Sequence, residues 1–138
     1  MSNFAIDYCI LVFAASLGVI QLSASLGNLS GILLIKSRIL TKFLGIILIA
    51  ASFMWFFLSD TRNINDYMGG LDANQQALIF VPSALGALIF TFVTSTIINA
   101  QMKSLDGLDC NGFEALQHTN YGKALLHSVK YWRTKCRR

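Results

Sequence analysis

Residues 4–35 read FAIDYCILVFAASLGVIQLSASLGNLSGILLI, and Asp7 is the only charged residue among them. A helix needs roughly 20 apolar residues to cross the hydrocarbon core of a bilayer, which is about 30 Å thick. At about 1.5 Å per residue the whole stretch would form a helix of about 48 Å, which is too long for one upright crossing and too short for two. We therefore predict one span, centred on residues 9–34. The stretch forms either one long tilted helix or a helix that breaks near residues 21–25.

Two further apolar stretches have the length of membrane spans. The second covers residues 39–59 and ends in aromatic side chains of the kind that anchor a helix at the bilayer interface. The third covers residues 77–100 and contains Pro82, which predicts a slight bend. Asp72, with Gln75 three residues later, has the pattern of a capping box and predicts the start of the third helix.

The composition also favours a membrane protein. Hydrophobic residues make up 54% of the 138-residue chain and charged residues only 13%. A typical soluble domain carries about 25% charged residues, because a surface in contact with water requires them. The net charge of +4 lies beside the apolar spans, so membrane topology explains it better than nucleic-acid binding does. We expect no nucleic-acid partner.

The distribution of basic residues predicts the orientation of the chain. Of the 11 Lys and Arg residues, nine lie between the first two spans or after the third, and Lys42 lies one turn into the second span, from where it can reach the same interface; Arg62 is the exception. Cytoplasmic loops of membrane proteins carry an excess of Lys and Arg. The short connection at residues 36–38 and the C-terminal tail are therefore predicted to be cytoplasmic. We expect a multi-pass protein of the cell (plasma) membrane with its N-terminus outside.

The tail has a different composition from the spans, since residues 101–138 carry seven Lys or Arg and both histidines. Within it, residues 113–133 predict a helix with apolar and aromatic residues on one face and basic residues opposite. That pattern is typical of a segment lying on an anionic membrane surface, and docking against a cytoplasmic subunit is the alternative. The residues assigned to one or other role are Tyr121, Lys123, Leu125, Val129, Lys130, Trp132 and Arg133.

The predicted fold is an all-α integral membrane protein with three transmembrane helices and a cytoplasmic amphipathic C-terminal helix. We divide it into a membrane domain over residues 1–100 and a basic tail over residues 101–138.

Small residues recur at four-residue spacing in the first and third spans. This spacing places them on one face of a helix, where a second helix backbone can approach closely. The partner helix could belong to the same chain or to another membrane subunit, and both alternatives stay open. The predicted helix-packing residues are Ser23, Gly27, Gly31, Ser83, Ala87, Thr91 and Ser95.

Two amide side chains, Gln21 and Asn28, lie seven positions apart in the first stretch and would share one face of a continuous helix. Amides in membrane helices commonly form hydrogen bonds across helices, which is the preferred interpretation, and a polar path is the alternative. Asp7 is placed at the outer boundary as an interfacial residue.

The sequence contains few residues whose types and spacing suit catalysis or the binding of a metal or cofactor. Ser and Thr residues of the spans have no nearby His or acidic residue, and the two histidines, His118 and His127, both lie in the tail. The spacings among these histidines, Cys110 and Cys136 do not match the compact ligand pairs of structural zinc sites. We therefore expect no enzyme, no catalytic, cofactor-binding or metal-binding residues, no cofactor and no small-molecule substrate.

The sequence thus predicts a small non-catalytic membrane protein that is an accessory or scaffolding subunit of a larger membrane complex. Its expected partners are membrane lipids and other membrane subunits. The alternative is a component of a homo-oligomeric channel or transporter, with Gln21 and Asn28 facing the pore.

Overall fold

The computed structural model describes residues 4–59, 71–102 and 112–135, and for residues 134 and 135 it describes the backbone alone. The regular structure in these ranges is helical: α1 (Phe4–Leu26), α2 (Arg38–Ser59), α3 (Ala73–Ile98), α4 (Ala115–His118) and α5 (Tyr121–Lys135). Helices α1, α2 and α3 are each long and apolar enough to cross a membrane, as the sequence predicts. Residues 60–70 and 103–111 lie outside the described residues.

Helix α1 ends at Leu26, so the predicted single span over residues 9–34 is wrong at its C-terminal end. Asn28 adopts a positive φ of 57°. The next residue, Leu29, donates its N–H to Ala24 O at 2.9 Å. A left-handed residue after a helix, followed by a bond that reaches back five residues, is a Schellman motif, in which Asn can replace Gly. This motif stops the helix within an apolar stretch.

The connection between α1 and α2 covers residues 27–37, and we call it the connecting segment. The sequence predicted a turn of only three residues, 36–38, and placed the possible break at residues 21–25 instead. Although it is not helical, the connecting segment buries Ile32 and Leu33. It is therefore a packed part of the fold.

The three long helices form an open layer with α1 in the middle. Helix α1 packs against both α2 and α3, whereas no described Cα atoms of α2 and α3 come within 8 Å of each other. On α1, Gly18 contacts α2 and Phe13 contacts α3. At about 100° per residue these positions point roughly 140° apart, compared with roughly 60° in a closed three-helix bundle.

Helices α1 and α2 approach each other most closely at two glycines. A Cβ atom on Gly18 would lie 2.8 Å from Gly45 O, and a Cβ atom on Gly45 would lie 2.8 Å from Gly18 O. Because neither backbone leaves room for a side chain, only glycine fits at both positions. This pair was not among the predicted helix-packing residues. A glycine lowers the stability of a helix, so a single glycine inside a predicted span can indicate that another backbone packs closely there.

Helices α1 and α3 meet along the small residues of α3. Ser83 Oγ lies 3.1 Å from Cys9 Sγ, and the rings of Phe13 and Phe90 pack edge to face with centroids 5.9 Å apart. The buried residues of α3 are the four predicted small residues, Ser83, Ala87, Thr91 and Ser95. The predicted stripe on the third span therefore lies inside the molecule.

The start of α3 follows the predicted cap. Asp72 Oδ1 accepts a hydrogen bond from the N–H of Gln75 at 2.7 Å, which satisfies one of the free donors at a helix N-terminus. The helix begins at Ala73, four residues before the predicted start of the span, and continues through Pro82 to Ile98.

Candidate functional site: the polar junction

The connecting segment, the C-terminal end of α3 and the start of α4 and α5 meet at one end of the three spans. We call this region the junction. Non-helical backbone at the level of a membrane is tolerated only where the protein satisfies its peptide groups, because lipid offers no hydrogen bonds. The junction meets this requirement with polar side chains from three helices.

Gln21 holds the connecting segment from α1. Its side chain is fully buried. Its Oε1 atom accepts the N–H of Leu34 at 3.0 Å, and its Nε2 atom donates a longer hydrogen bond to Ile32 O at 3.4 Å. The Gln21 amide thus binds one N–H group and one carbonyl group of the connecting segment. The sequence predicted a hydrogen bond from Gln21 to another helix, and the partners are instead peptide groups of the non-helical connecting segment.

Two further amides link the connecting segment to α3 and α5. Buried Asn99, at the C-terminal end of α3, donates from Nδ2 to Leu33 O at 3.0 Å. Buried Asn120 donates from Nδ2 to the backbone O of Asn99 at 3.1 Å. Its Oδ1 atom accepts the N–H of Lys123 at 2.9 Å, which caps α5. Asn120 therefore both starts α5 and ties it to α3.

The start of α2 is fixed in a similar way. Thr41 Oγ1 donates to Ile35 O at 2.9 Å, and Ser25 Oγ donates to Arg38 O at 2.9 Å. Arg38 Nη1 donates to Asn28 Oδ1 at 2.7 Å, across the two ends of the connecting segment. Asn28 consequently does not share a helix face with Gln21, because it lies beyond the end of α1.

Gly31 brings the connecting segment against the tail. Its N–H donates to Leu116 O at 2.8 Å. A Cβ atom on Gly31 would lie 1.9 Å from Thr119 O, so no side chain fits at this position. The backbone of the tail therefore packs directly on the backbone between α1 and α2.

These contacts correct the predicted stripe of the first span. Gly27 and Gly31 lie outside α1, so Ser23, Gly27 and Gly31 do not form one helix face. Gly31 packs tightly, but against the tail, whereas Ser23 and Gly27 are exposed. The four-residue spacing was misleading because the Schellman motif ends the helix at Leu26, before either glycine.

Within residues 112–135 the tail forms two helices, α4 and α5, rather than the single predicted helix over residues 113–133. Thr119 has an extended backbone and ends α4. The ring of Tyr121 stacks on Phe92 of α3, with centroids 4.0 Å apart and an angle of 2° between planes. Around this stack, an apolar cluster joins α1, the connecting segment, α4 and α5. Its buried members are Ala24, Ile32, Leu33, Ala115, Leu116 and Ala124.

Lys123 binds the end of α3. Its Nζ atom donates to Ala100 O at 3.0 Å and also to Met102 O. These two carbonyl groups lie just beyond the C-terminal end of α3, where the helix dipole is negative, so a lysine ammonium group is favourable there. Of the seven residues assigned to a membrane or partner surface, Tyr121 and Lys123 thus contact the chain's own α3.

The other five residues of that set are exposed. Leu125, Val129 and Trp132 lie along one face of α5; at about 100° per residue Arg133 lies at the edge of this face and Lys130 well round from it. An apolar groove between α4 and α5 adjoins this face and is lined in part by Phe113, Leu116 and Leu125. The structure thus separates a docked start of α5 from an exposed remainder.

Asp7 is buried near the start of α1. No group of three or more His, Cys, Asp or Glu side chains that could hold a metal ion lies within residues 4–59, 71–102 and 112–135. Cys110 and Cys136 of the four-residue set considered above lie outside those ranges.

Sequence reasoning missed Asn99, Asn120 and Thr41. Asn120 had a usable signal, because asparagine is one of the residues preferred at the N-cap and it directly precedes the amphipathic run that begins at Tyr121. The acceptor of Asn99 lies on a segment that the sequence predicted to be helical, so its role followed only from the fold.

Comparisons with protein-family models, curated proteins and solved structures find no match to this chain.

Proposed function

We propose that this chain is a small non-catalytic membrane protein that serves as an accessory or scaffolding subunit of a larger membrane complex. The observation that carries the proposal is the open layer of α1, α2 and α3. A layer one helix thick leaves both faces of its central helix accessible to other helices in the membrane.

The exposure of α1 supports this interpretation. Ile10 and Val19 are nine positions apart, which places them on opposite faces of the helix, and they are 46% and 51% exposed. Ser23, one turn after Val19, is exposed on the same face. Association of helices in lipid depends on close packing and hydrogen bonds. Each face of α1 therefore offers a groove, flanked by α2 and α3, in which a partner helix could pack.

The alternative function, a homo-oligomeric channel or transporter component, has less support. It requires Gln21 and Asn28 to face a common pore. Gln21 is fully buried with both ends of its amide engaged by backbone, and Asn28 binds Arg38. Neither side chain is available to line a path without breaking the junction.

The proposed orientation places the junction and the tail in the cytoplasm and the N-terminus outside, in the cell (plasma) membrane. Its support is the excess of Lys and Arg at the junction end of the spans, including Lys36, Arg38 and Lys42. The partners proposed are membrane lipids and other membrane subunits.

Native mass spectrometry of the protein, extracted from its own membrane in mild detergent, tests the proposal. We expect larger subunits bound at fixed stoichiometry. Val19→Phe and Ile10→Phe place a bulky ring on opposite faces of α1, and at least one of them should release the partner. Ile46→Phe, at an exposed position of α2, is the matched control.

A monomer without bound subunits would overturn the proposal. A homo-oligomer alone would do so as well and would favour the channel alternative. Loss of the partner with Ile46→Phe but with neither α1 variant would place the interface on α2 and contradict the open-layer argument.

A further inference from the structure

The first turn of α5 lies beside the last two turns of α3. Tyr121 stacks on Phe92, and a Cβ atom on Gly122 would lie 2.9 Å from the Thr96 side chain. Phe92 precedes the last residue of α3, Ile98, by six positions, or about 9 Å of helix. Helix α3 has 26 residues and a length of about 39 Å, against a hydrocarbon core of about 30 Å. If it protrudes equally on both sides, Phe92 and Tyr121 lie just inside the hydrocarbon boundary.

Beyond its first turn, α5 presents apolar side chains. Leu125, Val129 and Trp132 follow at spacings of four and three residues and are 49%, 56% and 62% exposed. Leu126, beside them, is exposed as well, and so is Phe113 at the edge of the groove between α4 and α5. Each of these side chains is about half exposed or more within the part of the chain that the structure describes.

The charge of the same region is uniformly positive. Residues 120–138 contain six Lys or Arg and no Asp or Glu. Lys130 and Arg133 are exposed, and at about 100° per residue they lie roughly 135° and 75° from the centre of the apolar face. Basic residues beside an apolar helix face at the membrane boundary are attracted to anionic lipid headgroups.

We propose that α5 lies in the leaflet at the junction end of the spans, with Leu125, Val129 and Trp132 among the acyl chains. Lys130 and Arg133 bind anionic phospholipid headgroups. The occupant of the apolar face is therefore lipid, and its preferred headgroup class is anionic phospholipid. This inference depends on the three spans and on the docking of α5, and it is independent of the proposed partner subunit.

The chain has two tryptophans, Trp55 in α2 and Trp132 in α5, which makes the depth of α5 measurable. The full-length Trp55→Phe variant, with Trp132 as its only tryptophan, is placed in nanodiscs. The lipid is phosphatidylcholine either alone or mixed with phosphatidylglycerol, and it is brominated at a shallow acyl position. We expect loss of about half of the Trp132 emission or more in the mixed lipid, as for a helix buried at the headgroup and acyl boundary. The loss should be smaller in phosphatidylcholine alone.

Two controls keep the test specific. Trp132→Phe leaves Trp55, which reports on a membrane span and should be quenched equally in both lipids. Lys130→Gln combined with Arg133→Gln should remove the difference between the lipids for Trp132. Both side chains are exposed, so these substitutions leave the junction intact.

Trp132 emission that is insensitive to brominated lipid in both nanodiscs and fully quenched by aqueous acrylamide would overturn the proposal. Trp132 that is exposed in nanodiscs but shielded in native membranes would also overturn it and would indicate a protein partner. Strong quenching that is equal in both lipids would contradict the anionic preference.

Discussion

Gly27 and Gly31 form a G-x-x-x-G pair in the sequence, yet the structure gives them different surroundings. A Cβ atom on Gly31 would lie 1.9 Å from Thr119 O, whereas one on Gly27 would meet nothing closer than Ser23 O at 3.3 Å. The first distance requires backbone to move and the second only a small adjustment. A helix-packing motif would make both glycines important, so the pair distinguishes the two interpretations.

We expect Gly31→Ala to lower the stability of the protein by about 1–3 kcal/mol, because it overpacks a backbone contact. Gly27→Ala should change it by no more than about 0.5 kcal/mol. The apparent melting temperature of each full-length variant in one mild detergent measures the difference. Equal loss in both variants would favour the continuous helix over the docked segment.

The sequence predicts the partners of some of these side chains and not of others. The Asp72 cap was predictable because capping depends on neighbouring residues along the chain. The partners of Gln21 and Asn99 were not, because each binds a carbonyl or N–H group of the connecting segment. Side chains that bind backbone are identifiable only once the path of that backbone is known.

Among the elements, the connecting segment depends most on a single side chain. Gln21 is fully buried and accepts the N–H of Leu34. Removing the acceptor leaves a buried donor without a partner, which costs roughly 1–3 kcal/mol. The element should therefore loosen before the three long helices separate.

For Gln21→Leu we expect a loss of stability of that size and faster hydrogen exchange at the Leu34 amide. Amides in the middle of α2 should remain protected. Ser23→Ala, two positions away and exposed, is the control and should change neither quantity. Unchanged exchange at Leu34 in the Gln21→Leu variant would show that the amide does not hold the segment.

The three spans were predictable from sequence because apolar length is a direct requirement of the bilayer. The second span agrees within one residue, since α2 begins at Arg38 rather than at residue 39. The first span was too long because hydropathy does not separate a helix from a buried loop of the same composition. Ile32 and Leu33 are as apolar in the connecting segment as they would be in a helix.

In the whole molecule, the described part of the tail packs onto the three long helices. Tyr121, Lys123 and Asn120 each contact α3 or the residues that follow it. The predicted separation into domains 1–100 and 101–138 was based on a change in composition. The composition of a segment reflects whether lipid or water surrounds it and does not report which other segments it contacts. The observed contacts join the tail to the spans.

We propose that the open layer of helices packs against membrane partners and that α5 lies in the leaflet, and the second proposal depends on the docking of the tail at the junction. If residues 27–37 were helical, Gly31 could not reach α4, and the apolar cluster around Leu33 and Leu116 would not form.

The nuclear Overhauser contacts of Gly31, measured by NMR on the full-length protein in nanodiscs, test this claim most directly. We expect cross-peaks from Gly31 to Leu116 and Thr119, since its N–H binds Leu116 O at 2.8 Å. Cross-peaks confined to residues three and four positions away, in the pattern of a continuous helix, would contradict the docked connecting segment and the placement of the tail that depends on it.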